Sequence, residues 1–570
     1  MSYPVKASIQ VEGGLLLPDY LQLTVQQPAF THHAFALDLS VAALAKALGL
    51  AVRTLPLQAP AQLIGKTVAI SWVGALPADK GRGFKFKGLI TQLSLQTSAD
   101  LVNYYQLRGF SPTYLLEDGT QHRTFLKQTL AAIFSRVLGQ YPGNALAYQL
   151  QPRHTEALPY VVQYGESNFH FLSRLATQYG EWLYYDGQTL RLGRAAGPAL
   201  AFRSSGAQQF SLALQVQPGT TQGGLYNYRT HETLATQGAP PQAGHPFSQL
   251  AVAKSAELFT QPQRLPTAPH ARSQAQLQRT LDGQAAQHAA GQVSLVGQGE
   301  LFELTPGCEL TVQDAAAETY GRFRVLAVHH TLDGDGNYTN HFEALPTTTL
   351  VPPPSPYHAA LEARSELAEV IDQQDPRRLG RVRVRFQWPV KEAADAESSW
   401  LRVSTPYSGN GKGQLFTPEV GSQVLVGYEQ GRAEFPVVLG NLFHPQNPQQ
   451  ANYTTDQNHL KGLQTAGGNK VVMLDTKGDQ KVLLSNSNNK GTAVEIGFKG
   501  DGSITIKSSG PVTVLGSTIT LEAGDKGEIK MHAKNITLVA EDDVKVSAKT
   551  KGIALDAKDK MALTSKELLA

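Results

Sequence analysis

One cysteine, Cys308, stands in a chain of 570 residues, so no internal disulfide can form and no site made of several thiolates is on offer to a metal. No apolar run reaches the roughly 20 residues that a bilayer-spanning helix needs, and the first ten residues lack a signal peptide's charged start and apolar stretch. The chain is therefore expected to be made in the cytoplasm and, if it leaves, to be carried by something other than a cleaved leader. A large excess of charge of one sign is missing too: 50 Lys and Arg stand against 47 Asp and Glu, a net +3. That balance gives no electrostatic reason to expect nucleic acid or a stable membrane contact. No GxxxxGKS/T, HExxH or GxSxG occurs, and no cofactor, metal or catalytic group is expected.

Aromatic residues are absent in one place, after Gly500, and a repeat is there instead. From Ile504 the chain reads ITI, VTV, ITL, IKM, ITL, VKV, IAL and MAL, eight units whose first members cover seven steps in 57 residues. Each unit carries two apolar residues at period two: Ile504 and Ile506, Val512 and Val514, Ile519 and Leu521, Ile529 and Met531, Ile536 and Leu538, Val544 and Val546, Ile553 and Leu555, Met561 and Leu563. Alternation puts both side chains of a unit on one face of a short strand. One such strand cannot make a core, whereas stacked copies can. Three chains wound into a triangular prism would place these sixteen residues on a shared axis, with the intervening Lys, Asp and Glu outside. An axial core of that kind has little room for rings. A monomeric β-helix is the alternative, although its rungs run to about 20 residues.

Length alone calls for three or four domains. Residues 1–350 alternate strand signals with turns, and helices are expected at Val41–Leu50, at His122–Leu138 and at Ala271–Gly291. In the second of these, Phe125, Leu126, Leu130, Ile133, Phe134 and Leu138 fall on one helical face. The Gly/Pro/Gln-rich stretch 237–247 is expected to be a solvent-facing loop. A stiff Pro-rich connector occupies 351–366. Residues 367–444 hold five extended runs, which suits an OB-type barrel. A second connector, 445–462, precedes the tail, 463–570, whose first loose rungs are VVML at Val471 and KVLL at Lys481.

Possible sites have blander readings. His329 and His330 are neighbours on a strand and point to opposite faces, so they cannot share a metal, and His32 with His33 fails likewise. Asp333, Asp335 and Asn337 imitate a calcium loop, but Tyr338 stands where Gly is needed and Ala344 where Glu is needed; a hairpin turn explains DGDGN better. Cys308 reads as a buried structural thiol. Arg381, Arg383 and Arg385 would line one face of a strand whose other face, Val382, Val384 and Phe386, enters the barrel. Without aromatic platforms interleaved, that row fits an interface with neighbouring protomers or an acidic protein surface better than single-stranded nucleic acid.

The segment Tyr160–Asp186, YVVQYGESNFHFLSRLATQYGEWLYYD, has Ser167 placed to cap a helix that buries Phe169, Leu172, Leu175, Ala176 and Tyr179 and ends at Gly180. It resembles the YxVQYxESDFxFxxRLxExxGxxYYF stretch of the VgrG family, the hub and spike protein of type VI secretion systems, related to the hubs of contractile phage tails. YTNHFEALP, at Tyr338–Pro346, is similar to that family's closing strand, and 375–440 resembles its OB series almost continuously, departing at Ser422, where an acidic residue is usual. The resemblance implies a mainly β protein: a β-barrel hub domain with packed helices and two barrel-like halves, an OB-fold barrel, and an intertwined trimeric β-helix needle. It further implies a non-enzymatic homotrimer that joins a sixfold Hcp-like tube to a threefold needle, touches baseplate proteins, carries effectors and punctures a membrane transiently. A PAAR-type tip protein would sit on Met561, Leu563 and Leu568. The 16-residue gap Pro445–Leu460 is too short for an inserted lysozyme domain, and only KELLA follows the last rung. Three other readings remain at this point: the spike of an extracellular phage-tail-like particle, an OB-fold nucleic-acid binder with a multimerising tail, and an enzyme acting on cell-wall polysaccharide.

Overall fold

The computed structural model describes residues 3–97, 103–194, 197–241, 243–265, 271, 273–357, 361–447, 454–486 and 491–567. It divides into two compact units, 1–444 and 445–570.

The first unit is built around a long hairpin, Thr319–Asp333 with Asn337–Pro346, whose turn is the DGDGN sequence. The Asp333 carboxylate accepts the N–H groups of Asp335 (3.0 Å) and Asn337 (2.9 Å), so it closes a turn rather than a calcium loop. On one side the hairpin completes a ring of eight antiparallel strands. From Thr319–Asp333 the order runs through Gln22–Gln27, Ala34–Ser40, Asn103–Phe110, Gly83–Thr97, Thr67–Gly74 and Tyr3–Val11 to Asn337–Pro346. Alternate residues point inward, and Leu23, Leu37, Ile70, Trp72, Phe86 and Leu107 are fully enclosed. On its other side the same hairpin carries Glu309–Gln313 and Ala199–Arg203 beyond one strand, and Val293–Gly299 and Gln209–Leu214 beyond the other. That second arc has its own core of Phe202, Leu295, Leu310, Phe323 and Phe342, and the Cys308 thiol is buried in it.

Helices pack where their caps place them. Ser40 caps Val41–Leu48, which ends at Gly49 in the left-handed region (φ 65°). Ser167 caps Asn168–Gln178, and Ser273 caps Gln274–Ala290. The helix expected over 122–138 forms only in its second half. Residues Gln121–Gln128 are a strand paired with Leu158–Glu166, and Thr129 caps a helix confined to Leu130–Leu138. Phe125 and Leu126 fit a helical stripe, but the ladder to residues 158–166 satisfies the backbone there and wins. The loop expected over 237–247 gives way at its end to a helix, Pro246–Leu258, with Pro at its first position.

The OB barrel follows in the same unit. Its strands are Glu366–Asp372, Arg383–Phe386, Arg402–Val403, Gln423–Tyr428 and Pro436–Asn441, in the sheet order 383–386, 366–372, 423–428, 436–441, 402–403. Single bridges from Val382 to Leu401 and from Arg385 to Glu397 close the ring. Val370, Val384, Val424, Val426 and Val438 fill it.

The second unit opens with a five-stranded antiparallel meander: Leu460–Gln464, Asn469–Leu474, Lys481–Asn486, Ala493–Gly497 and Ser503–Lys507. VVML and KVLL are thus hairpin strands rather than rungs of a winding coil. Gly-containing turns at 465–468 and 475–480 reverse the chain between them. Ile504 and Ile506 lie on the fifth strand. Beyond Lys507 the chain forms no strand ladder among the described residues, so no self-contained solenoid is made.

Candidate interaction surface

Three features bear on function. The first is the apolar stripe of the tail. The sixteen alternating residues from Ile504 to Leu563 are between 51% and 73% exposed, whereas such side chains gain roughly 1.5–3 kcal/mol each on full burial. A contiguous exposed stripe of this kind marks an interaction surface. Met561 and Leu563 lie on it; Leu568 falls outside the described residues.

The second is the arginine row, which lies on a strand whose other face enters the barrel as expected, with Val382, Val384 and Phe386 buried. Asp375 receives the Arg381 guanidinium through Nε (2.9 Å) and Nη2 (2.6 Å), and it also accepts the backbone N–H groups of Arg377 (3.0 Å) and Leu379 (2.8 Å). The pair is almost fully enclosed, and these donors hold the Asp375 carboxyl well below its usual range. Arg383 and Arg385 both reach Glu397, at 2.9 and 3.0 Å. All three arginines are therefore paired with carboxylates of the same chain, Arg381 enclosed and the Arg385 side chain still 42% exposed on the outer face, so the row is charge-compensated rather than free. Aromatic rings do meet neighbouring arginines: the Arg402 guanidinium lies 4.7 Å from the Tyr228 ring centroid, and that of Arg381 lies 5.9 Å from Trp400.

The third is the junction between the hub strands and the OB barrel. Arg174, on the helix Asn168–Gln178, donates to Glu166 (2.7 Å) on the hub side and to Glu434 (3.2 Å) in the barrel, as well as to the Val162 carbonyl (2.8 Å). Thr124 Oγ1 donates to the Glu397 carbonyl (2.7 Å), Tyr164 donates to Glu366 (2.8 Å), and Arg136 pairs with Asp395. Tyr160 and Val162 of the hub pack with Ala433 and against Trp388 and Tyr428 of the barrel. Burial pushes the Glu166 carboxyl up, opposed by Arg174. Periodicity could not find this joint, because its partners are 200 or more residues apart.

Chemistry is sparse elsewhere. Among the described residues no three His, Cys, Asp or Glu side chains gather as a metal centre. Burial pushes the Cys308 thiol up, which keeps it protonated. His330 is enclosed and His329 faces outward, the opposite faces expected of strand neighbours.

An eight-stranded hub barrel sharing its hairpin with a second arc, bolted to an OB barrel and followed by a tail with a bare apolar stripe, defines a class: a baseplate hub with an injector OB domain. Residues 32–336 match the family described as phage tail baseplate hub (GPD), and 366–443 match the type VI secretion system/phage-baseplate injector OB domain. The chain belongs to the phage tail baseplate hub family. Among its relatives is the type VI secretion system spike protein VgrG4b of Pseudomonas aeruginosa, 28% identical over 420 residues, which are 65% of this chain and 50% of that protein. The spike protein VgrG1a of the same organism is 24% identical over 495 residues, 77% and 72% of the two chains. The match thus spans half the length of the first relative. In fold the chain is similar to one in a Francisella PdpA–VgrG complex, with a TM-score of 0.55 at 8% identity, covering 89% of this chain and 88% of that one.

Proposed function

We propose that this chain is the non-enzymatic, homotrimeric spike of a contractile injection system, in which the hub meets a sixfold Hcp-like tube, the OB barrel transmits load, and the tail of three chains forms the needle. One observation carries the reading: sixteen alternating Val, Ile, Leu and Met side chains, exposed on a chain that offers them no cover of its own. Three copies placed around one axis bury the stripe and leave the Lys, Asp and Glu residues outside. The sixteen residues from Ile504 to Leu563 are then the needle core. The end near Met561, Leu563 and Leu568 exposes strand edges that a PAAR-type tip protein covers. Baseplate proteins hold the assembly, effectors travel with it, and a membrane is punctured in passing rather than occupied. The spike is assembled in the cytoplasm and leaves by injection.

The test is the mass of the purified protein, full length and truncated at Leu460. A trimer of three times 61.5 kDa that weakens sharply without the tail supports the reading. A folded full-length monomer at micromolar concentration overturns it, and so does hydrolysis of peptidoglycan by the purified chain.

A further inference from the structure

Where the hub strand Thr221–Asn227 comes against the OB barrel lies a cavity of about 320 Å³, at the lower end of the roughly 300–1,000 Å³ that small-molecule pockets occupy. Tyr228, Trp400 and Phe435 bring rings to its walls, and Arg229, Arg402 and Arg432 bring guanidinium groups. Tyr228 gathers the cations. The Arg402 guanidinium lies 4.7 Å from its ring centroid and that of Arg229 lies 5.5 Å away, while Arg381 donates Nη1 to its hydroxyl at 3.4 Å. Burial alone would push that hydroxyl up, yet Arg381 and Arg229 beside it bring it below its ordinary value. Positive charge is thus in excess here.

Two carboxylates share the walls without cancelling that excess. Glu434 is held by Arg174 at 3.2 Å, and Glu429 pairs with Arg402. Arg229 pairs with no carboxylate among the described residues. Water reaches both cations: the Arg402 side chain is 37% exposed, and Arg229 is partly exposed. A second observation concerns the wall itself. Gln430, in the turn Glu429–Gly431, holds φ 54°, a region that side chains rarely take and that persists where the surroundings impose it, often at a ligand clamp. A guanidinium offers a planar pair of donors that a carboxylate matches, and rings beside it accept an apolar group. Cations and rings on adjoining walls suit an α-carboxylate next to an apolar side chain. An acidic side chain, by contrast, brings only its own methylenes to the rings.

We propose that this cavity binds a carboxylate carried beside an apolar side chain, presented as the C-terminal residue of a partner protein, with Arg229 and Arg402 on the carboxylate and Trp400 and Phe435 around the apolar group. The full-length protein, carrying 5-fluorotryptophan at its four Trp positions, is titrated with N-acetyl-leucine, with its neutral amide, with the α-amide of N-acetyl-glutamate and with inorganic phosphate. Saturable binding of N-acetyl-leucine, read by calorimetry and by a shift confined to the Trp400 fluorine signal, is the expected result. The neutral amide should bind at least tenfold more weakly. Arg229→Gln and Arg402→Gln should each weaken binding tenfold or more, with the other three fluorine signals in place. The proposal falls if the neutral amide binds equally well, if phosphate or the glutamate compound is preferred, if both variants bind unchanged, or if the shift appears at another Trp. Absence of N-acetyl-leucine binding by the folded protein overturns it as well. Mass measured on the same samples reports the trimer separately, so either reading can fail without the other.

Discussion

Inside the first barrel, His33 and His330 are linked through one glutamine. Gln27 lies 3.3 Å from His33 Nδ1 and 3.1 Å from His330 Nε2, and His330 Nδ1 takes the Tyr338 hydroxyl at 2.7 Å. Both rings are enclosed, and desolvation pushes each from its ordinary 6.5 down to about 3. In the unfolded chain these histidines take protons near pH 6.5; in the folded chain they do not until about pH 3. The unfolded state therefore binds more protons below pH 6.5, and stability is complete above that value and falls as pH drops toward 3, by up to about 1.4 kcal/mol per pH unit for each ring. Urea midpoints measured from pH 7.5 to 4.5 should show this decline, and His330→Gln should flatten it by about one proton. A second residue-scale prediction concerns Asp375. Asp375→Asn leaves Arg381 enclosed without its counter-charge, which should cost about 3–5 kcal/mol, read as a lower melting temperature. Charge pairs such as Arg383 with Glu397 were invisible in the sequence, because a short helical turn, Ala393–Ala396, and an isolated bridge from Glu397 to Arg385 create them. The arginine positions themselves were legible.

Between elements, the hub and the OB barrel meet on the helix Asn168–Gln178. Its Ser167 cap, its buried face and its stop at Gly180 could all be read in advance, because each is a local rule with a fixed spacing. The same logic misled at 122–128, where an apolar stripe compatible with a helix turned out to serve a strand ladder; Phe125 there stacks on Phe171 at 5.4 Å. Pro246–Leu258 escaped notice because only Ala251 and Ser255 are buried along it, so it carries no apolar stripe to detect. What no periodicity could supply is the role of Arg174, which is held between two carboxylates from different domains. Arg174→Met should leave Glu166 and Glu434 buried without their cation and cost about 3–5 kcal/mol. Glu434→Gln removes only the barrel's half and should cost less. Scanning calorimetry checks the element-level consequence: the hub and OB barrel should melt together in the parent chain and as two separate transitions in Arg174→Met.

For the whole molecule, the issue is where the tail's apolar stripe goes. The alternation was the plainest signal in the sequence, yet the meander at 460–507 was not foreseen, since hairpin strands and coil rungs share one alternation and differ only in whether the turn reverses the chain. Past Lys507 the alternating side chains are exposed, and in the proposed trimer the other two protomers cover them. A charge placed on it should then be felt three times, once per protomer, while the same change on the intervening face should matter little. Ile536→Asp puts three carboxylates around one axis, where repulsion adds to the lost burial of roughly 1.5–3 kcal/mol per side chain. Thr537→Asp, between Ile536 and Leu538 and therefore on the opposite face, leaves the stripe intact. Sedimentation at micromolar concentration should find Thr537→Asp trimeric like the parent and Ile536→Asp largely dissociated, with the circular dichroism of the hub unchanged in both. Equal assembly of the two variants would mean that the stripe does not hold the three chains together.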